Sequence, residues 1–191
     1  CFLDELAHLG DKDPLALRLH LTRDNDRMHQ VLLRLKEAAD WGQPLAVGRG
    51  RGMAARVYSV SPIAQAVEVT VARDGTFTVD RVVCVVDCGF AVNPLGIEAQ
   101  VQGGISLGLS AVHDGNIDLV DGRIVQSNFH DYPSLRMPES PNIETHIINS
   151  GATIGGAGEP GTPPIAAALT NAIFNATGKR IRKLPVGTNL S

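Results

Sequence analysis

The chain has no apolar run long enough to cross a membrane, no Cys-x-x-C, no paired histidines, no internal repeat and no low-complexity segment. It also lacks an excess of positive charge: 17 Lys and Arg stand against 20 Asp and Glu, for a net charge of -3 at pH 7. Each absence removes a class of function. A membrane-spanning helix needs about 20 consecutive apolar residues. A net-negative chain with scattered cations offers no surface for nucleic acid. The cation cluster Lys179-Arg180-Ile181-Arg182-Lys183 follows the last expected helix, where cations suit the C-terminal end of the dipole. Three cysteines without zinc or iron–sulfur spacing predict neither a metal site nor a cluster within this chain. Cys84 and Cys88 lie on one strand-like run, about 13 Å apart if extended. That is beyond disulfide reach, so they read as structural thiols.

What is present suits a globular protein. The chain's 191 residues suffice for one sizeable core, and 43% hydrophobic with 19% charged residues is ordinary. It opens on Cys1, already in a helix-like stretch, so it is expected to be a piece of a longer protein whose compartment is not readable. Helices are predicted over Phe2–Leu9, from Pro14 with Asp13 as its cap, and from Asp24 or Asn25 to Trp41, ended by Gly42. His20 and His29 on these helices read as surface or core-edge side chains. Residues 1–45 form a helical lead-in.

Gly48-Arg49-Gly50-Arg51-Gly52 reads as a glycine-rich link into β structure. Val57 to Val71 and Phe77 to Val86 read as strands joined at Asp74-Gly75. The run Val82-Val83-Cys84-Val85-Val86 is expected to be buried on both faces. Asn93-Pro94 opens a helix with Ile97, Val101, Ile105, Leu109 and Val112 on one face, interrupted by Gly103, Gly104 and Gly108. Glycines there point to close approach of another element or of a ligand. Turns follow at Asp114-Gly115 and Asp121-Gly122. Residues 128–133 form a polar, aromatic loop, and Ile143 to Ile148 alternates as a strand. The predicted fold is a single α+β domain over 1–191, a mostly antiparallel sheet packed with helices, two of which cross it within 46–191.

The densest signal is Gly155-Gly156-Ala157-Gly158-Glu159-Pro160-Gly161-Thr162-Pro163-Pro164. Glu159 is the only titratable side chain in this loop. Thr162 reads as the cap and Pro163 as the first residue of a final helix ending near Gly178. A carboxylate on a glycine-lined loop before a helix is either a general base, if partly buried, or a helix-terminal charge. Gly156 to Gly161 also fits G-x-G-x-x-G. No acid follows Glu159 to take a ribose, and Pro160 removes an N–H, so a nicotinamide site is not expected. Gly104-Ile105-Ser106-Leu107-Gly108 fits the nucleophile elbow, with Asp131 and His146 following in hydrolase order. Ser106 nevertheless falls in mid-helix, which makes a serine hydrolase the rival reading. A non-catalytic assembly module is the other.

Three stretches taken together carry a family resemblance: Val86-Asp87-Cys88-Gly89-Phe90-Ala91-Val92-Asn93-Pro94, Gln126 to Pro133, and Gly156 to Pro164 continuing through Asn171-Ala172-Ile173-Phe174-Asn175. The chain resembles the molybdenum-cofactor subunit of the xanthine dehydrogenase/aldehyde oxidase superfamily, in its isoquinoline 1-oxidoreductase beta-subunit branch. The resemblance implies that Glu159 is the base at the molybdenum centre of a hydroxylase. Such an enzyme oxidises an N-heteroaromatic compound or an aldehyde with water-derived oxygen. It implies cofactor contacts at Gln100, Gly156 and Gly158, with no protein ligand to the metal. It implies molybdopterin in its cytosine dinucleotide form, with two [2Fe-2S] clusters on a small partner subunit. The motif Gln-x-Glu-Gly has Gln102 in place of its glutamate here, which changes a charge near the cofactor. Family subunits are several times longer, so this chain would be their C-terminal cofactor-binding domain, inactive without the remainder of its own subunit.

Overall fold

The computed structural model describes residues 1–187 and 190. Three helices come first: α1 (Phe2–Leu9), α2 (Pro14–Leu21) and α3 (Asp26–Ala38). The Asp13 side chain caps α2 and Asn25 caps α3. The third helix stops earlier than Gly42. Asp40 takes a positive φ of 47°, and the chain turns there before Gly42, at φ 99°.

Strand β1 (Arg49–Tyr58) begins inside the stretch expected to be a link. It turns at Ser59-Val60, both at positive φ (46° and 70°), into β2 (Ser61–Val71). The single run expected from Val57 is therefore a hairpin. Its turn has none of the usual Asn-Gly or Asp-Gly chemistry, which hid it from sequence. Strand β3 (Phe77–Val86) pairs antiparallel with β2 through the Asp74-Gly75 turn.

Helix α4 (Pro94–Asp114), capped by Asn93, crosses the sheet and ends at Gly115. Asp114-Gly115 is thus a helix terminus and not a hairpin turn, whereas Asp121-Gly122 does join β4 (Leu119–Val120) to β5 (Arg123–Ile124). Strand β6 (Asn142–Ile147) lies parallel to β3, giving the order β1-β2-β3-β6, and α5 (Thr162–Thr177) follows. The α+β expectation holds, with two antiparallel pairings and one parallel in the four-stranded sheet.

Side-chain alternation sorts the core into two layers. Ala64, Ala66, Val83 and Val85 face α2 and α3, meeting Leu15, Val31, Leu32 and Leu35. Ile63, Val67, Val82, Cys84 and Val86 face the other way, against Val101, Ile105 and Leu109 of α4 and Ile165, Leu169 and Ile173 of α5. Burial pushes the Cys84 thiol up to about 12, against a weak hydrogen bond from Gln65. It is an inert core thiol.

Asp87, at the end of β3, ties the layers together. Arg27 of α3 donates to Asp87 Oδ2 at 2.8 Å and to its carbonyl at 2.9 Å, while the Gly89 N–H and the Ser150 hydroxyl hold Oδ1. Burial alone would raise this carboxyl. The Arg27, Gly89 and Ser150 bonds outweigh it and hold it below its ordinary 3.8. A carboxyl depressed in the folded state contributes stability that is complete above its unfolded value and is lost as pH falls through the folded one. Thermal unfolding followed from about pH 6 down to about pH 3, across the ordinary carboxylate range, is expected to show a steep acid loss. Asp87→Asn should be less stable at neutral pH and flatten that loss; an unchanged acid limb would remove Asp87 as its source.

Candidate active site

Glycines bring the two halves of the site together. Along α4, an added Cβ at Gly104 would meet the Thr162 hydroxyl at 3.0 Å, and one at Gly108 would meet Ile165 Cγ2 at 2.4 Å. Opposite them, a Cβ at Gly161 would lie 2.6 Å from the Val101 carbonyl oxygen. The Glu159 loop is therefore pressed against the Gln100–Gly104 segment of α4. The Thr162 hydroxyl donates to the Gly104 carbonyl at 3.1 Å and seals the contact. From beneath, the fully buried Gln65 of β2 donates Nε2 to the Gly161 carbonyl at 2.7 Å.

Thr162 is the first residue of α5 and not its cap; Gly161 takes the cap position, and the Thr162 hydroxyl is committed to α4. The Thr162 N–H is taken by the Glu159 carbonyl at 3.0 Å, and Pro163 and Pro164 have no N–H. This helix end offers little to a phosphate, as the nicotinamide motif would have required.

Two glycines of this region behave differently. A Cβ at Gly103 or at Gly158 would meet nothing within 4 Å. Gly103 shares the outward stripe of α4 with Gln100 and the exposed Leu107, at i, i+3 and i+7. The Gln100 amide is exposed and has no hydrogen-bond partner among the described residues. Gln102 faces another way, donating to Glu98 at 3.1 Å, so a carboxylate sits one turn before the position the motif gives to glutamate. Gly156, also exposed, lies against the β1–β2 turn: a Cβ there would come 2.9 Å from Ser59 Cβ.

Glu159 itself is exposed in this chain, not partly buried, and one oxygen accepts a hydrogen bond from Tyr58. An exposed amide and an exposed carboxylate thus stand on the two segments, each beside a glycine whose added Cβ would meet nothing within 4 Å among the described residues. The stretch that sequence reasoning missed is the β1–β2 hairpin, which supplies Tyr58, Ser59 and Ser61. Its readable signal was Gln65, the one polar residue in the stretch Pro62 to Val67.

The hydrolase constellation does not assemble. The Ser106 hydroxyl donates to the Gln102 carbonyl within α4. His146 pairs in register with Val85, whose side chain faces the α2/α3 layer across the sheet from α4, and contacts Arg34. Asp131 is used up on Ser127 and the Asn128 N–H of its own loop.

Comparison with known proteins shows the family. Residues 26–141 match the family model described as molybdopterin cofactor-binding domain. The chain is 34% identical over 188 residues to the isoquinoline 1-oxidoreductase subunit beta of Brevundimonas diminuta, covering 96% of this chain and 24% of that protein. It is 34% identical over 212 residues to the membrane-bound aldehyde dehydrogenase (pyrroloquinoline-quinone) of Gluconacetobacter polyoxogenes, covering 97% of this chain and 27% of that one. In fold it matches quinoline 2-oxidoreductase from Pseudomonas putida 86, with a TM-score of 0.61 and 23% identity over 67% of this chain and 18% of that one. The chain spans about a quarter of the length of the two curated relatives. It belongs to the molybdopterin cofactor-binding domain family, of the xanthine dehydrogenase and aldehyde oxidase type.

Proposed function

We propose that this chain is the cofactor-binding part of a molybdenum hydroxylase subunit, with Glu159 as its general base. One observation carries the reading: the Gln100–Gly104 segment and the Glu159–Thr162 loop, 55 or more positions apart in sequence, are pressed together. The residues fit the cofactor. Gly103 and Gly158 leave the backbone bare, with nothing among the described residues within 4 Å of an added Cβ, as a bulky planar ligand requires. The Gln100 amide can both donate to and accept from a pterin edge. Gly156 serves the site indirectly, through its packing on Ser59.

Bound molybdopterin, in its cytosine dinucleotide form, would supply the two-electron redox chemistry. The chain's own residues hold it and move the proton. Gln100 orients the pterin, the two bare glycines admit it, and Glu159 takes the proton as oxygen is delivered to the substrate. The names of the two relatives bracket the substrate as an N-heteroaromatic compound or an aldehyde. Electrons would leave through two [2Fe-2S] clusters on a small partner subunit. The remainder of the large subunit would close the site, so the isolated 191 residues are expected to retain little cofactor and no activity.

Molybdenum content of the full-length subunit, purified with its partner and measured by plasma mass spectrometry, tests the reading. About one metal per chain is expected; none, from cells that load a control molybdoenzyme, would return the chain to the assembly-module reading. Gly103→Ala sharpens the test. In a helix interior, alanine is worth about 0.5–1 kcal/mol over glycine, and at this position a methyl strikes nothing. The variant is expected to unfold at a higher temperature than wild type and yet to carry less molybdenum. Full loading would mean that no cofactor approaches this face of α4.

A further inference from the structure

The Glu159 carboxylate has one hydrogen-bond partner among the described residues, the phenol of Tyr58, which donates to Oε2; Oε1 has none. Tyr58 is the last residue of β1, at the lip of the Ser59-Val60 turn. The turn and the glutamate loop are stitched together beside it: the Gly156 N–H donates to the Ser59 carbonyl at 3.0 Å, and the Ser61 hydroxyl donates to the Gly156 carbonyl at 2.7 Å. The turn is anchored from α3, where Arg27 donates to the Val60 carbonyl at 3.1 Å while holding Asp87. The Arg56 guanidinium, 5.3 Å from the Tyr58 ring centre, is the charged group packed on the phenol from its own strand.

A glutamate on an exposed loop has several rotamers, and a base that wanders loses much of the advantage of proximity. A phenol on a rigid hairpin, bonded to one carboxylate oxygen, selects among those rotamers. We propose that Tyr58 is the positioning residue for Glu159: its phenol fixes Oε2 and leaves Oε1 as the oxygen that accepts the proton. This rests on the reading of Glu159 as the base. Separately, the Glu159 hydrogen bond and negative charge hold the Tyr58 phenol above its ordinary value, so it stays a donor through neutral pH.

The test uses the full-length subunit with its partner, assayed with isoquinoline and with benzaldehyde. Tyr58→Phe is expected to retain its molybdenum and to lose roughly 10- to 100-fold in kcat, the scale of a misplaced catalytic group, with KM little changed. A second readout needs no turnover. Nitration of Tyr58 by tetranitromethane, followed on its own peptide, proceeds through the phenolate. It is expected to be slow in wild type and several-fold faster in the isosteric Glu159→Gln, whose amide carries no charge. Equal nitration rates in wild type and Glu159→Gln would show that the contact does not form in the intact enzyme, and would overturn the proposal even if Tyr58→Phe failed to fold. If Glu159→Gln abolishes turnover while Tyr58→Phe keeps the wild-type rate, the positioning role falls and the base stands. If Glu159→Gln turns over normally, the base assignment itself falls.

Discussion

Glu159→Gln in the full-length, cofactor-loaded subunit is expected to cut turnover roughly 10²- to 10⁴-fold, the usual contribution of a positioned general base, with molybdenum content unchanged. The substitution is nearly isosteric and removes only the ability to accept a proton. In this chain Glu159 is exposed, its backbone carbonyl accepts from the Thr162 N–H, and among the described residues its side chain hydrogen-bonds only Tyr58. No core contact or buried ion pair depends on its charge, so folding should be untouched. That separates two explanations of a dead variant. Lost activity with lost metal would mark Glu159 as a loading or structural residue; lost activity with full metal marks it as the base. A variant within about threefold of wild type, far short of the loss expected for a general base, would return Glu159 to a charge at the N-terminus of α5.

How much of this was legible in sequence depended on the range of the interaction. Asp13, Asn25 and Asn93 were readable as caps, because a cap is a contact between neighbours in the chain. The apolar run of β3 announced burial on both faces, and both faces are covered. Glu159 and Gln100 were legible through the family pattern, but not the contact that joins their segments, since nothing local encodes the meeting of Gly161 with Val101. Tyr58 was invisible for the same reason, 101 positions from the carboxylate it touches. Thr162 was misread because its hydroxyl had two suitors: its own helix end and the Gly104 carbonyl of a helix 58 residues away. Tertiary packing decided between them.

The misreading of Gly48–Gly52 as a link carries the second large prediction. Glycine weakens a strand, so local propensity argues against β1 starting there. Gly50 and Gly52 alternate onto the face that receives α5, where a Cβ at Gly52 would sit 2.1 Å from the Ala172 nitrogen and 2.5 Å from the Ala168 carbonyl oxygen. Both obstacles are backbone, so no side chain can swing aside. To admit one methyl, α5 must lift off β1. That would strain two bonds that dock it: the buried Asn171 amide to the Met53 carbonyl at 3.0 Å, and the Arg51 N–H to Asn175 at 3.0 Å. Overpacking costs about 1–3 kcal/mol or more, and a buried polar group left unsatisfied about 1–3 kcal/mol. Gly52→Ala is therefore expected to destabilise the fold by about 3 kcal/mol or more. In a chain of this size that lowers the unfolding midpoint by roughly 6–12 °C. Gly103→Ala, the same change where a methyl meets nothing, should move it the other way. A Gly52→Ala protein melting within about 2 °C of wild type, under 1 kcal/mol on the same scale, would mean that α5 does not lie on β1 at this distance. The consequence reaches the site as well. Gly161 caps α5 and Glu159 lies two positions before it, so a helix displaced at Ala172 pulls on the Glu159 loop.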